Sequence, residues 1–317
     1  MTGSFDYYNK QTEDILVQTP YIAAMGEGGE PWINGASMNN QGVEFALTFR
    51  SEPTNDFQWA ITANIGTYKT ELTELPSNVI NKYAGDGVHD LILGRSPNTM
   101  YGLVADGIFR TQEEVDAHAD QPGKAIGRIR YKDLDGDGVI NETYDRTWIG
   151  CSDPDFFGGL NFDFVYKGFD LNLFFEGLFG NDVNSDWKKE SDIWLYTNPA
   201  WKNHATRMLG AWSPSNSGSD IPAITNNTSN NEQRFSSYFV EDGSYIKLRN
   251  IELGYTFPAH LTEKMYMKNL RLYVSADNVF TLKKFWGADK YTSFDPEWPS
   301  YAYLTPFTFS FGINVTF

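Results

Sequence analysis

The chain has 317 residues and a formal net charge of -16, a balance that excludes a nucleic-acid surface, which needs clustered Lys and Arg. Aromatic residues make up 16% of it, which excludes a disordered segment, where they are scarce. A single cysteine, Cys151, excludes an intrachain disulfide, and the four histidines are scattered without zinc-ligand spacing.

Taken in order, the elements read as strands. The opening "GSFDYYNKQ" (3–11) is the first. Val43, Phe45, Leu47 and Phe49 then alternate with Glu44, Ala46, Thr48 and Arg50. Phe57, Trp59, Ile61, Ala63 and Ile65 form the next stripe, with Gln58, Ala60, Thr62 and Asn64 between them. "TQEEVDAHA" (111–119) is the one stretch with a helical turn. Leu160, Phe162, Phe164 and Tyr166 make a fourth strand, and Phe169, Leu171, Leu173 and Phe175 a fifth. Ile251, Leu253, Tyr255 and Phe257 follow, then Leu270, Leu272, Val274 and Ala276. The last strand sets Phe307, Phe309, Phe311, Ile313, Val315 and Phe317 against Thr308, Ser310, Gly312, Asn314 and Thr316. Period-two alternation marks strands with one apolar face, so the chain is all-β with eight strands.

The connections alternate in length. "SEPTND", "KG" and "PAHLTEKMYMKN" are short, whereas polar stretches at roughly 10–40, 70–153, 180–237 and 282–304 are long. Compact soluble domains rarely carry such loops. Short turns at one end and long loops at the other are the pattern of an outer-membrane barrel, whose strands need only about 9–11 residues to cross. The competing architecture is a soluble β-sandwich, secreted, stapled by calcium and binding glycan.

Seven stretches carry a family resemblance: "NNQGVEFALTFR" (39–50), "YGLVADGIFRTQEEV" (101–115), "IRYKDLDGDGVINETYDRTWIG" (129–150), "PDFFGGLNFDFVYKGFDLNLFFEGLFG" (154–180), "FVEDGSYIKLRNIELGYTFP" (239–258), "LRLYVSADNVFTL" (270–282) and "FGINVTF" (311–317). In this order they resemble the C-terminal portion of a SusC/RagA-type TonB-dependent outer-membrane transporter. The resemblance implies that residues 1–317 are the last eight or so strands of a transmembrane barrel of about 22 strands. It implies a location in the Gram-negative outer membrane, in contact with its lipid, and uptake of oligosaccharides or peptides. It also implies three partners: a SusD-like surface lipoprotein lid, a chain carrying the plug and the N-terminal barrel strands, and TonB reached through that chain. The plug and the TonB-engaging segment have no counterpart here. An eight-strand sheet with two open edges is therefore expected to need a partner.

Two loop features are candidate sites. In "DLDGDGVINETYD" (133–145), Asp133, Asp135 and Asp137 alternate before Gly138, as in a calcium loop. The position that would carry the bidentate carboxylate is Tyr144, and no helices flank the loop, so a calcium sensor is disfavoured. Asp133, Asp135, Asp137, the Val139 carbonyl and Asp145 remain candidate ligands for Ca²⁺ or Mg²⁺, a staple for a long loop; the alternative is a solvated Asp–Gly turn. The second feature is Trp187, Trp194, Trp201, Trp212, Trp286 and Trp298, all outside the strands and near carboxylates and amides. They suit substrate or lid contact, loop packing, or the aromatic girdle at a membrane boundary. "NNTSNNEQ" (226–233) reads as a mobile loop tip. No Ser/His/Asp order stands out, and loop carboxylates pair by composition, so no enzyme is expected.

Overall fold

The computed structural model describes residues 1–18, 31–52, 54, 56–79, 91–193, 205–225, 229–283, 295–298 and 304–317. Eight strands form one antiparallel meander: β1 (Thr2–Gln18), β2 (Trp32–Arg50), β3 (Phe57–Glu74), β4 (Phe156–Tyr166), β5 (Phe169–Phe179), β6 (Tyr245–Thr256), β7 (Asn269–Leu282) and β8 (Thr308–Thr316). Each pairs with the next in chain order. Among the described residues, β1 and β8 have one strand neighbour apiece, so the sheet has two edges.

Register carries the alternation across the whole sheet. One cross-strand row runs Phe49, Ile61, Phe162, Leu173, Ile251, Ala276, Phe309. The next runs Trp59, Phe164, Leu171, Leu253, Val274, Phe311. Between them, on the opposite face, lie Ala60, Asp163, Asn172, Glu252, Ser275 and Ser310. Successive side chains point to opposite faces, so one face is wholly apolar and the other polar. The apolar face is uncovered: Phe5 is 68% exposed, Phe311 81% and Ile313 63%. A sandwich would cover it with a second sheet. Apolar surface this extensive belongs against hydrocarbon.

The short joins 51–56, 167–168 and 257–268 share one end of the sheet, and the long connections share the other. At the tightest join Lys167 and Gly168 both have positive φ, 48° and 86°, the two-residue hairpin geometry that glycine makes cheap. The loop expected over 10–40 is shorter than its polar composition suggested. β1 continues to Gln18 and β2 starts at Trp32, leaving only 19–31 between them. β2 has 19 residues, about twice what a membrane crossing takes, so its polar "NNQ" segment rises beyond the apolar band. The polar residues there continue the strand, and Asn40 Nδ2 donates to Thr70 Oγ1 across it at 2.5 Å.

The long connections fold into a cap. Thr99–Leu103 pairs with Arg146–Cys151, Ala105–Ile108 with Ile129–Tyr131, and Asp182–Asn184 with Val240–Asp242. The expected helical turn is a helix at Gln112–Ala117, and its N-cap Thr111 side chain accepts from the Glu114 amide. Leu103, Ile129, Tyr131, Ile140, Ile193 and Phe239 form a buried core inside the cap. No helix among the described residues is long and apolar enough to cross a membrane.

Candidate functional site

The polar face of the sheet and the cap above it make the candidate site. Along the wall, side chains are fixed by charge pairs and amides. Asn172 Nδ2 donates to Asp163 Oδ1 at 2.7 Å and to Asn161 Oδ1 at 3.0 Å, tying β4 to β5. Arg271 on β7 reaches across β6, donating to Glu252 Oε1 at 2.7 Å and to Asp170 Oδ1 at 3.1 Å. Tyr8 lies over Gly42, where an added Cβ would sit 2.7 Å from the ring. Such ring-over-glycine contacts let adjacent strands lock together.

Nearer the cap the wall carries a denser cluster. The register of β6 shifts between Leu248 and Asn250 against both neighbours. This bulge puts Lys247 and Arg249 on the polar face although Ile251 and Leu253, of the same parity, face outward. Arg249 grips Glu176 with two hydrogen bonds, Nε at 2.9 Å and Nη2 at 3.0 Å, and also pairs with Glu297. Lys247 is 2% exposed. It pairs with Asp295 at 2.8 Å and with Glu297. Burial opposes ionisation of Glu297, but Arg249 and Lys247 outweigh it and hold the carboxyl below its ordinary range. Two cations on one strand thereby pin the 295–298 segment to the wall. The sequence reading missed this cluster. Its trace was a parity break: Ile246 and Leu248 share the outward face with Ile251 and Leu253, which strict alternation forbids.

In the cap, two residues of the expected mobile tip are buried. Asn230 is 2% exposed and Glu232 4%. Gln121 Nε2 donates to Asn230 Oδ1 at 2.7 Å, and the Ile129 amide donates to Glu232 Oε1 at 2.7 Å. Glu232 also pairs with the buried Arg128. Polar composition misled here because these side chains satisfy backbone and charge inside a folded loop, where a buried polar group must be bonded. Residues 226–228 of that stretch lie outside the described residues.

Of the candidate metal ligands, the structure brings Asp133, Asp135 and Asp137 together, one oxygen of each lying within 4.8 Å of the others. Asp133 accepts from the Gly136 amide at 2.7 Å and the Gly138 amide at 2.9 Å, while Asp137 accepts from the Val139 amide at 2.7 Å. The Asp137 amide also donates to Asp135, yet desolvation and the charges of Asp137 and Asp145 push the Asp135 carboxyl up. Asp145 lies outside the triad and is fully buried; it accepts from the Leu134 amide at 2.8 Å and the Asn141 amide at 2.7 Å. It ties the ends of the loop together.

The tryptophans do not form one array. Trp194, Trp201 and Trp286 lie outside the described residues. Trp187 is half-buried on the helix Asp186–Asp192. Trp212 packs over Gly127, where an added Cβ would lie 2.7 Å from the indole. Trp298, at the end of the pinned 295–298 segment, is 55% exposed.

Together these features define a slice of a transmembrane β-barrel wall with a polar, charge-paired lumen and a folded cap. The comparisons agree. No protein-family profile matches the sequence. TonB-dependent receptor P3 of Formosa agariphila is 31% identical over 99% of this chain and 32% of its own length. TonB-dependent receptor SusC of Bacteroides thetaiotaomicron is 25% identical over 100% of this chain and 30% of its own. The solved RagAB peptide importer in its open-open state superposes with a TM-score of 0.72 at 22% identity, covering 99% of this chain and 32% of that one. The chain's homologues over 99–100% of its length are TonB-dependent receptors, SusC among them, and its fold is that of the corresponding part of a TonB-dependent transporter barrel. It spans about a third of the length of the curated relatives it matches.

Proposed function

We propose that this chain is the C-terminal third of the barrel of an outer-membrane importer that takes up oligosaccharides or peptides with energy delivered through TonB. A further portion of the receptor supplies the plug and the remaining strands, and a SusD-like lipoprotein covers the cap side. The observation that carries the reading is the sheet itself: eight strands in register, apolar on one face, polar on the other and open at both edges. In hydrocarbon such edges must be closed by further strands. The SusC relative and the RagAB structure, whose protein is described as a peptide importer, support the substrate class and the paired lid. On this reading the charge-paired wall holds water and polar solute, while the cap and exposed Trp298 face the lid or the cargo. Uptake of labelled oligosaccharides and of labelled peptides, by cells with and without the receptor, tests it. Receptor-dependent uptake of one class, lost when the lipoprotein is deleted, is expected; uptake of neither by an intact, inserted receptor contradicts it.

Within the cap, we propose that Asp133, Asp135, Asp137 and the Val139 carbonyl hold Ca²⁺ or Mg²⁺, with Asp145 bracing the loop from behind. Three carboxylates gathered around Gly138 suit a hard cation. The ion would staple residues 133–145 against Asp120, whose amide donates to the Gly138 carbonyl at 2.7 Å.

A further inference from the structure

Two adjoining notches interrupt the outer face of the wall at the cap end, and their chemistry differs. The first is apolar. Gly158 on β4 and Gly177 on β5 are cross-strand partners, so neither strand supplies a side chain to this row, and the Phe179 ring leans over Gly177, where an added Cβ would lie 2.7 Å from it. Ile65 and Ile246 continue the same row on either side, and the rings of Phe156 and Phe179 stack above it at 4.6 Å. The resulting cavity is about 490 Å³ and is also lined by Leu160 and Phe162. It lies on the lipid-facing side, where the other outward positions of β4 and β5 carry large side chains.

The second notch is polar. β3 stays paired with β2 up to Glu74, but its pairing with β4 stops at Gly66. Above that point the wall splits and leaves a cavity of about 560 Å³. Thr67, Lys69, Arg95, Asp153, Asp155 and Asp182 are among its lining residues. Lys69 is already paired with Glu71 at 2.5 Å, and Arg95 lies over the Trp148 ring at 4.8 Å. With Glu71 included, four carboxylates face two cations, so the notch has a net negative charge. The two notches adjoin through residues that are neighbours in the chain. Ile65 lines the apolar one and Thr67 the polar one, two residues further along β3; Asp155 and Phe156, and Phe179 and Gly180, are consecutive residues divided between them.

We infer that the paired notches form a binding site for one amine-headed membrane lipid, its acyl chain in the apolar notch over Gly158, against the Phe179 ring, and its ammonium among Asp153, Asp155 and Asp182. Hydrocarbon already bathes this face, so an acyl chain is the occupant at hand, and a chain seated in a preformed notch buries more apolar surface than one sliding over a flat wall. The carboxylate excess selects a cationic head over a purely anionic one. A lipid there would also seal the split between β3 and β4 beneath the cap.

The inference rests on the membrane placement proposed above, which heat-modifiable mobility of the purified barrel reports separately. The test is native mass spectrometry of the intact receptor, extracted from its own outer membrane in mild detergent, with tandem identification of retained lipid. One retained lipid bearing an ammonium group is expected. Ile65→Trp, which fills the apolar notch, should lower the retained fraction about tenfold, as expected when roughly two buried methylenes are displaced. Val274→Phe, on the same face but outside the notch, should leave it unchanged. A correctly inserted receptor that retains no lipid, retains one without an ammonium group, or responds equally to both substitutions overturns the inference. If Ile65→Trp does not insert, wild-type receptor reconstituted with a diazirine-tailed phosphatidylethanolamine decides: labelling concentrated in 156–162 and 175–179 supports the site, and labelling spread evenly over the lipid face contradicts it.

Discussion

Arginine in place of Phe311 should destabilise the barrel far more than arginine in place of its neighbour Ser310. The outward residues of the last strand run from Phe307 to Phe317. At about 3.3 Å per residue the strand covers roughly 33 Å, which a tilt of about 40° reduces to about 25 Å, the height of the apolar band of such barrels. Phe311 lies near the middle of that span and opposite Val274. An arginine near the midplane costs about 2–4 kcal/mol, or roughly a 30- to 900-fold shift in the folding equilibrium. Ser310 lies opposite Ser275 on the polar face, where a surface-type change of about 0.5 kcal/mol or less is expected. Urea titrations of the receptor folded into lipid vesicles, followed by tryptophan fluorescence, measure both. Equal costs at the two positions would refute the assignment of faces.

Lys247→Ala should cost about 3 kcal/mol, because it strips a partner from Asp295 and Glu297 while Arg249 still holds the latter; a cost below ~1 kcal/mol in the same titrations would show that the cluster does not hold the segment. The depressed pKa of Glu297 gives the pH dependence its sign. The released segment binds a proton more readily than the pinned one, so the stabilisation is full above the ordinary value of 4.5 and fades as pH falls through the lower, folded value. Protease protection of 295–298 should therefore drop below about pH 4.5 in wild type and lose most of that dependence in Glu297→Gln, and identical pH profiles would argue against it. Chelation by EDTA should increase proteolysis within 133–145 in wild type and have no effect in Asp135→Asn; insensitivity of the wild type would make the loop an ordinary acidic turn.

The sheet was legible in the sequence because each strand has one face in hydrocarbon and one in water, so stripes such as Phe307 to Phe317 are written into the chain at period two. The parts that leave the membrane lose that contrast. Residues 32–42 look like loop because polar residues break the stripe there, yet they continue β2, paired with β1 and, from Ser37 on, with β3. The cap was illegible for a related reason. Asn230 and Glu232 are polar in sequence but buried in structure, and their partners Gln121, Ile129 and Arg128 lie about a hundred residues away. Only the local turn chemistry of the cap, the Thr111 helix cap and the Asp133–Gly138 turn, could be read in advance. The Lys247–Arg249 cluster hid behind a one-residue bulge, which shifts the stripe and turns both cations to the polar face.

The central claim is that these residues are a slice of a larger wall and cannot close alone. Each edge strand presents a row of unpaired N–H and C=O groups, and in hydrocarbon each such group costs several kcal/mol. The direct measurement is heat-modifiable electrophoretic mobility of outer-membrane fractions from cells expressing residues 1–317 alone or together with the remaining portion of the receptor. Co-expression should yield one compact, fast-migrating species that slows on boiling, and the isolated chain should aggregate or be degraded. A monodisperse, β-rich monomer from residues 1–317 alone would contradict the account.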